Sequence, residues 1–160
     1  MNQFKLDLIV YDFDGVMTDN KVYVDQNGHE MVQVNRADGL AVAEIKKLGI
    51  EQIIISTEEN LVVSVRADKL GIPYLQGIDN KKKALIDYCE KNDFDLKYVA
   101  YIGNDINDKI AMETAGVSFC PADAHENIKA ISDYILKIKG GEGVVRELFD
   151  LISVIGYNHI

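Results

Sequence analysis

LDLIVYDFDGVMTDN, residues 6–20, is the stretch from which the architecture can be read. Its opening, LDLIVY (6–11), is an almost continuous apolar run of strand length, the pattern of a strand buried on both faces. The run stops at Asp12 and Asp14. In an extended chain residues i and i+2 point the same way, so the two carboxylates converge where the strand ends. Repulsion and desolvation make such a pair costly. A bound cation relieves the cost, as does exposure at the sheet edge.

Outward from this point the chain alternates strand and helix, with no linker, repeat or low-complexity tract. Residues 39–48 place Leu40, Ala41, Ile45 and Leu48 on one predicted helical face, and Gly49 stops the helix. IEQIIIS (50–56) reads as a second buried strand, followed over 59–70 by a helix with Leu61, Val62, Val65 and Leu70 inward. PYLQG (73–77) is a short third strand, and 81–92 a helix packing through Ala84, Leu85 and Tyr88. YVAYIG (98–103) is a fourth strand, 107–115 a short helix and VSFC (117–120) a fifth strand. The last helix begins near Gly143 and buries Val144, Leu148, Phe149, Ile152 and Ile155. The expected fold is α/β, three-layered and Rossmann-like, with a parallel sheet covered on both faces. Ligands of such sheets sit at the carboxyl ends of the strands. Asp12, Asp14, Ser56 and the GND stretch at 103–105 all fall there.

One segment interrupts the alternation. In KVYVDQNGHEMVQV (21–34) two short alternating runs flank Asn27-Gly28, a hairpin signal. An isolated two-stranded hairpin is marginal in water, so Val22, Val24, Met31 and Val34 suggest pairing with other subunits. The competing reading folds the hairpin back on its own domain.

Composition narrows the function classes. A chain of 160 residues suits one domain with a real core. Its net charge of −9 argues against a nucleic-acid partner or an anionic membrane surface. No apolar run approaches the roughly 20 residues of a membrane helix. The start lacks signal-peptide features, so a soluble, cytoplasmic protein is expected. Cys89 and Cys120 are too few for a disulfide framework, and His29, His125 and His159 show no zinc spacing.

The remaining polar residues point to phosphate chemistry. A D-x-D pair at a strand end can bind magnesium through hard oxygen ligands. Ser56 ends the second strand, where its hydroxyl and backbone N–H can hold a phosphate oxygen; such a Ser is equally a turn or cap residue. Lys81 can neutralise phosphate, although Lys82 and Lys83 compete for the role in a KKK run. Asn104, Asp105 and Asp108 add oxygen ligands on the same rim.

DFDGVMTD (12–19), IIIST (53–57), Lys81 and YIGNDIND (101–108) together resemble the four ordered motifs of the haloacid dehalogenase superfamily of phosphohydrolases. The match runs through nearly the entire chain and implies one phosphatase domain over 1–160. Only the hairpin 21–34 stands where many relatives insert a cap domain. With VNRADGL (34–40) and GGEGVVRE (140–147), the chain is similar to the capless sugar-acid phosphatase branch. That branch holds 3-deoxy-octulosonate (KDO) 8-phosphate phosphatases, nonulosonate (sialic acid-type) 9-phosphate phosphatases and domains attached to acylneuraminate cytidylyltransferases.

The resemblance implies Asp12 as nucleophile and Asp14 as general acid and base. It implies Mg2+ held by Asp12, Asp14 and the GND motif (Asn104, Asp105), and phosphate held by Ser56 and Lys81. It further implies a homotetramer with active sites at subunit interfaces. The glycine-rich stretch Gly140-Gly141-Glu142-Gly143 has little to do in a monomer, and Arg146 just beyond could reach an anionic substrate in the adjacent subunit; a helix-entry loop with a surface Arg is the competing reading. Two positions depart from the branch: Asn104 replaces a frequent Asp, and Ala41 a frequent Gly. Glu58, followed by Arg66 and Lys69 at helical spacing, resembles the nonulosonate group, so a nonulosonate 9-phosphate is the expected substrate; an ordinary solvated helix face is the competing reading. The alternatives are a KDO 8-phosphate phosphatase and a weakly active partner of a cytidylyltransferase. A signalling receiver domain fits less well, because its phosphate acceptor usually follows the third strand, which here ends in QG.

Overall fold

The computed structural model describes residues 5–155. β1 (Leu8–Tyr11) lies inside a six-stranded parallel sheet with β4 (Glu51–Ile55), β5 (Tyr74–Leu75), β6 (Val99–Ile102), β7 (Val117–Cys120) and β8 (Tyr134–Ile135). The spatial order is β5-β4-β1-β6-β7-β8. β1 pairs with β4 on one side (Val10 opposite Ile53) and with β6 on the other (Val10 opposite Tyr101). Burial on both faces explains its unbroken apolar run. Ile9 and Tyr11 pack on one side with α1 (Arg36–Lys47), α2 (Val62–Leu70) and α6 (Val144–Ile155). Leu8 and Val10 pack on the other with α3 (Lys81–Lys91), α4 (Lys109–Thr114) and α5 (Glu126–Lys129).

The helix boundaries have local causes. Asn35 caps α1 by accepting the Ala37 N–H at 2.8 Å, and Asn80 caps α3 by accepting the Lys83 N–H at 3.0 Å. Two predicted faces hold in part: Ala41, Ile45 and Leu48 on the first and Val62 and Leu70 on the second do pack on the core. Leu40 points outward on α1, and Val65 (66 % exposed) points outward on α2, preceded by the outward Leu61 (71 % exposed). Val63, Ala67 and Leu70 are the inward residues of α2. Phe149 is half-buried on α6, and the side chain of Ile155 lies outside the described residues. α5 and β8 were not anticipated, because residues 121–142 carry no clear period.

β2 (Tyr23–Val24) and β3 (Glu30–Met31) form the expected hairpin as a separate antiparallel sheet. Its turn closes through the Asp25 N–H to His29 O (3.1 Å) and the Gly28 N–H to Asp25 O (3.0 Å). At its base Thr18 bridges Val34, and Asn60 Nδ2 donates to Glu30 Oε2 at 2.9 Å. Val22, Tyr23, Val24 and Met31 all remain exposed. Among the described residues no helix is long and apolar enough to cross a membrane.

Candidate active site

After β4 the chain steps outward to β5, and α3 then carries it back across β1 to β6, so the strand order reverses between β1 and β6. Ligands bind at such a switch point. Asp12 follows β1, Ser56 follows β4 and Asn104 stands just beyond β6; all three line one depression of about 120 Å³ with Asp14, Asn20, Thr57, Asp105 and Asn107.

Lys81 opens α3 at the same end of the sheet. It is 2 % exposed, whereas Lys82 and Lys83 are exposed and Lys83 pairs with Asp87. The structure thus picks one lysine from the run. Its Nζ lies 2.9 Å from Asp12 Oδ1 and 2.8 Å from Asp108 Oδ1. Asp108 also accepts from Tyr101 Oη (3.1 Å) and from the Asn104 (3.0 Å) and Asp105 (3.3 Å) N–H groups. Burial opposes the charge on Lys81, but Asp12 and Asp108 outweigh it and raise its pKa. Burial, and next the Asp108 carboxylate, push the Asp12 carboxyl well above the usual range, against the pull of Lys81. One cation faces two carboxylates, so ionised Asp12 calls for a second positive charge.

Asp14 is half-buried on the loop that follows. Thr18 Oγ1 donates to its Oδ1 at 3.3 Å and accepts from the Gly15 (3.2 Å) and Asn20 (3.1 Å) N–H groups. Burial and nearby Glu58 raise the Asp14 carboxyl; the Thr18 bond works against them, and Glu30 adds to them. A raised carboxyl suits a proton donor. Ser56 differs from expectation in one respect: its N–H is committed to Leu75 O at 2.8 Å, leaving the hydroxyl as its group for an incoming phosphate. That oxygen accepts the Glu58 N–H at 3.1 Å.

The donors near Asp12 fit a hard divalent cation. The inner terminal atom of the Asn104 amide is 2.9 Å from Asp12 Oδ2 and 2.9 Å from the Asp14 carbonyl oxygen. Nitrogen inward, the amide donates to both oxygens. Oxygen inward, it matches the spacing of adjacent vertices in a magnesium octahedron, about 2.9 Å for bonds of about 2.0–2.1 Å. Gly15 makes room for this amide: a Cβ there would lie 1.9 Å from Asn104 Nδ2. No group of three or more His, Cys, Asp or Glu side chains forms a metal cluster among the described residues. The donor set here is one carboxylate, one main-chain carbonyl and one amide. Asp105 instead caps the turn Ile106–Asp108, accepting the Ile106 N–H at 2.8 Å, and stands at the rim.

The expected substrate contacts divide into two groups. Glu58 lines a depression that shares Asp14 and Asn20 with the first one. Its Oε1 accepts the Glu59 and Asn60 N–H groups (2.9 and 2.8 Å), fixing the loop ahead of α2. Arg66 and Lys69 do share a face, and they line a groove of about 430 Å³ beyond, which joins the second depression along Glu30, Val32 and Val62. Arg66 Nη2 donates to Asn35 O at 3.1 Å, while its Nε is buried without a hydrogen-bond partner. Arg146 is not brought into these depressions; it lies on α6, 3.5 Å from Asp150. Gly140 and Gly141, expected to have little to do within one chain, pack against the loop of Asp14.

Two buried residues do more than their sequence pattern suggests. Asp108 appeared as an oxygen ligand and proves to be the anchor of Lys81. Thr18 carried only the signal of its motif, yet it organises the acid loop.

Comparison with known proteins agrees with this geometry. A family profile described as haloacid dehalogenase-like hydrolase matches residues 44–148. The chain belongs to that family, and it is a phosphatase. The 3-deoxy-D-manno-octulosonate 8-phosphate phosphatase KdsC of Escherichia coli (strain K12) is 38 % identical over 146 residues, spanning 91 % of this chain and 78 % of that protein. The Moraxella catarrhalis enzyme of the same description, solved with magnesium, phosphate and KDO, has a TM-score of 0.91 and 34 % identity over 94 % of this chain and 87 % of its own. The cobalt-bound Haemophilus influenzae deoxy-D-mannose-octulosonate 8-phosphate phosphatase gives 0.90 and 30 %, covering 94 % and 89 %.

Proposed function

We propose that the chain hydrolyses a sugar-acid phosphate, with magnesium as cofactor and an aspartyl-phosphate at Asp12 as intermediate. The observation that carries this reading is a buried Asp12 held by Lys81 beside a half-buried Asp14 whose carboxyl is raised. The Asp12 carboxylate attacks phosphorus as the bond to the leaving alcohol breaks, and Asp14 gives that oxygen its proton. Asp14 then takes a proton from water, whose oxygen attacks phosphorus and releases Asp12 and inorganic phosphate. Lys81 and the Ser56 hydroxyl face the phosphoryl oxygens and offset their charge. Asp12, the Asp14 carbonyl and Asn104 would hold the divalent cation, with Asp105 adding charge at the rim; the cation supplies Lewis-acid polarisation of the phosphoryl group.

Within this class a nonulosonate 9-phosphate is the preferred substrate. Glu58 lies beside the acid, and the apolar-floored groove continues to Arg66 and Lys69, a track suited to a long acid whose carboxylate is remote from its phosphate. Support for Arg66 comes from its unpartnered Nε. KDO 8-phosphate is the second reading, favoured by the description of the relatives. We also read the active form as a homotetramer closing its sites at subunit interfaces, with Arg146 serving a neighbour, on the strength of the exposed hairpin side chains. The intact Asp12, Asp14 and Lys81 set speaks against a scaffolding role beside a cytidylyltransferase.

Steady-state kinetics on both sugar-acid phosphates test the assignment. The expected ratio of kcat/KM favours the nonulosonate by about 10-fold, equivalent to about 1.4 kcal/mol. Glu58→Ala lowers that value while sparing a small aryl phosphate. Equal efficiency on the two sugar acids, or an equal loss on the aryl ester, contradicts it.

A further inference from the structure

A glycine pair from the far end of the chain presses on the loop that carries Asp14. A Cβ on Gly140 would meet Gly15 O at 2.1 Å and Thr18 O at 2.9 Å, and one on Gly141 would meet Asp19 N at 2.6 Å. These are main-chain contacts, so no side-chain movement relieves them. The Gly141 N–H donates to Val16 O at 3.1 Å. From behind, the Gly140 N–H donates to Asp123 Oδ1 at 2.9 Å, in the turn after β7, where the Ala122 N–H also holds Ile138 O at 2.9 Å. The contacts thus run from the β7 turn through Gly140 to Gly15 and Thr18. Gly15 directly follows Asp14 and donates its N–H to Thr18 Oγ1, which in turn donates to Asp14 Oδ1.

We propose that Gly140, held by Asp123, is a positioning residue for Asp14. The pair fixes how far the acid loop sits from the leaving oxygen of the substrate, without touching substrate itself. The inference rests on the reading of Asp14 as general acid. It predicts a loss that depends on the leaving group, because an alkoxide needs a proton as it departs whereas 4-nitrophenolate, a weak base, needs little help.

The experiment compares kcat/KM, which reports departure of the leaving oxygen and not the later attack of water on the aspartyl-phosphate, on a sugar-acid phosphate and on 4-nitrophenyl phosphate for Gly140→Ala, Asp123→Ala, Asp123→Asn and Asp14→Asn, each checked for folding by thermal melting. Gly140→Ala and Asp123→Ala should lose about 10-fold or more on the alkyl ester and less than about 3-fold on the aryl ester, a fraction of the full general-acid contribution. Asp123→Asn keeps the acceptor oxygen and should retain the wild-type ratio. If Gly140→Ala does not fold, the two Asp123 variants carry the test. Equal losses on both esters, or an Asp123→Asn as impaired as Asp123→Ala, overturn the proposal. Equal losses for Asp14→Asn itself overturn instead the general-acid reading beneath it.

Discussion

Lys81 Nζ stands 2.8 Å from Asp108 Oδ1, and neither side chain reaches solvent. The ion pair ties α3 to the turn after β6 and brings the same ammonium to Asp12. Removing one partner of a buried pair leaves an uncompensated charge and costs about 3–5 kcal/mol. Lys81→Met should therefore lower stability by that order and abolish turnover. Adding Asp108→Asn should recover part of the stability and none of the activity. Urea denaturation of the single and double variants checks this; strictly additive losses would count against the pairing.

Asp38 makes stability pH-dependent. Its buried carboxyl accepts the Arg146 N–H at 3.1 Å, leaves Oδ2 unpartnered, and is pushed up to about 6 by burial. An unfolded Asp titrates near 3.9, so between about pH 4 and 6 the folded chain holds the extra proton. Stability therefore falls as pH rises through that window, and the penalty is complete above it. A shift of about two units corresponds to about 3 kcal/mol. Asp38→Asn keeps an acceptor for Arg146 and should be more stable than the parent by about 2–3 kcal/mol near pH 7.5, with no difference near pH 4. A pH-independent difference would mean that the carboxyl does not titrate in that window.

Asn104 and Asp105 separate in a magnesium titration. Asn104→Asp places a carboxylate beside Asp12 and Asp14 O and should tighten magnesium by about 10-fold or more, equivalent to about 1.4 kcal/mol. Asp105→Ala should change the affinity little while loosening the turn it caps. Isothermal calorimetry reads both. Unchanged binding in the first variant and lost binding in the second would make Asp105 the direct ligand.

Tyr23 is 71 % exposed, with Val22, Val24 and Met31 also bare on the hairpin. The proposed tetramer would bury them. Light scattering should give four chains for the parent and fewer for Tyr23→Glu combined with Val24→Lys, with activity lost on dissociation. A fully active monomer would contradict the assembly.

Most of the framework was legible because β1 is apolar throughout and β4 is apolar over its last three residues, where both are buried. The acid pair was legible because it directly follows a buried strand, although Asp14 reaches the shared depression from the turn after β1 and not through a strand period. Helix faces were less so: Leu61 and Val65 are apolar and helically spaced, but Val65 walls the groove around Arg66 rather than the core. β8 escaped because it has only two residues, both exposed. Lys81 could not be told from Lys82 and Lys83 until α3 acquired its position over Asp12. Gly140 looked free for another subunit because its close approach to Gly15 spans the length of the chain.

The measurement closest to the central claim is identification of the phosphorylated residue. Enzyme turning over a sugar-acid phosphate with magnesium is quenched in acid, reduced with borohydride and digested for peptide mass spectrometry. Reduction of an aspartyl-phosphate yields homoserine. Homoserine is expected at position 12, absent from a control without substrate and from Asp12→Asn, which does not turn over. Modification of another carboxylate, or turnover by Asp12→Asn at the parent rate, would contradict it.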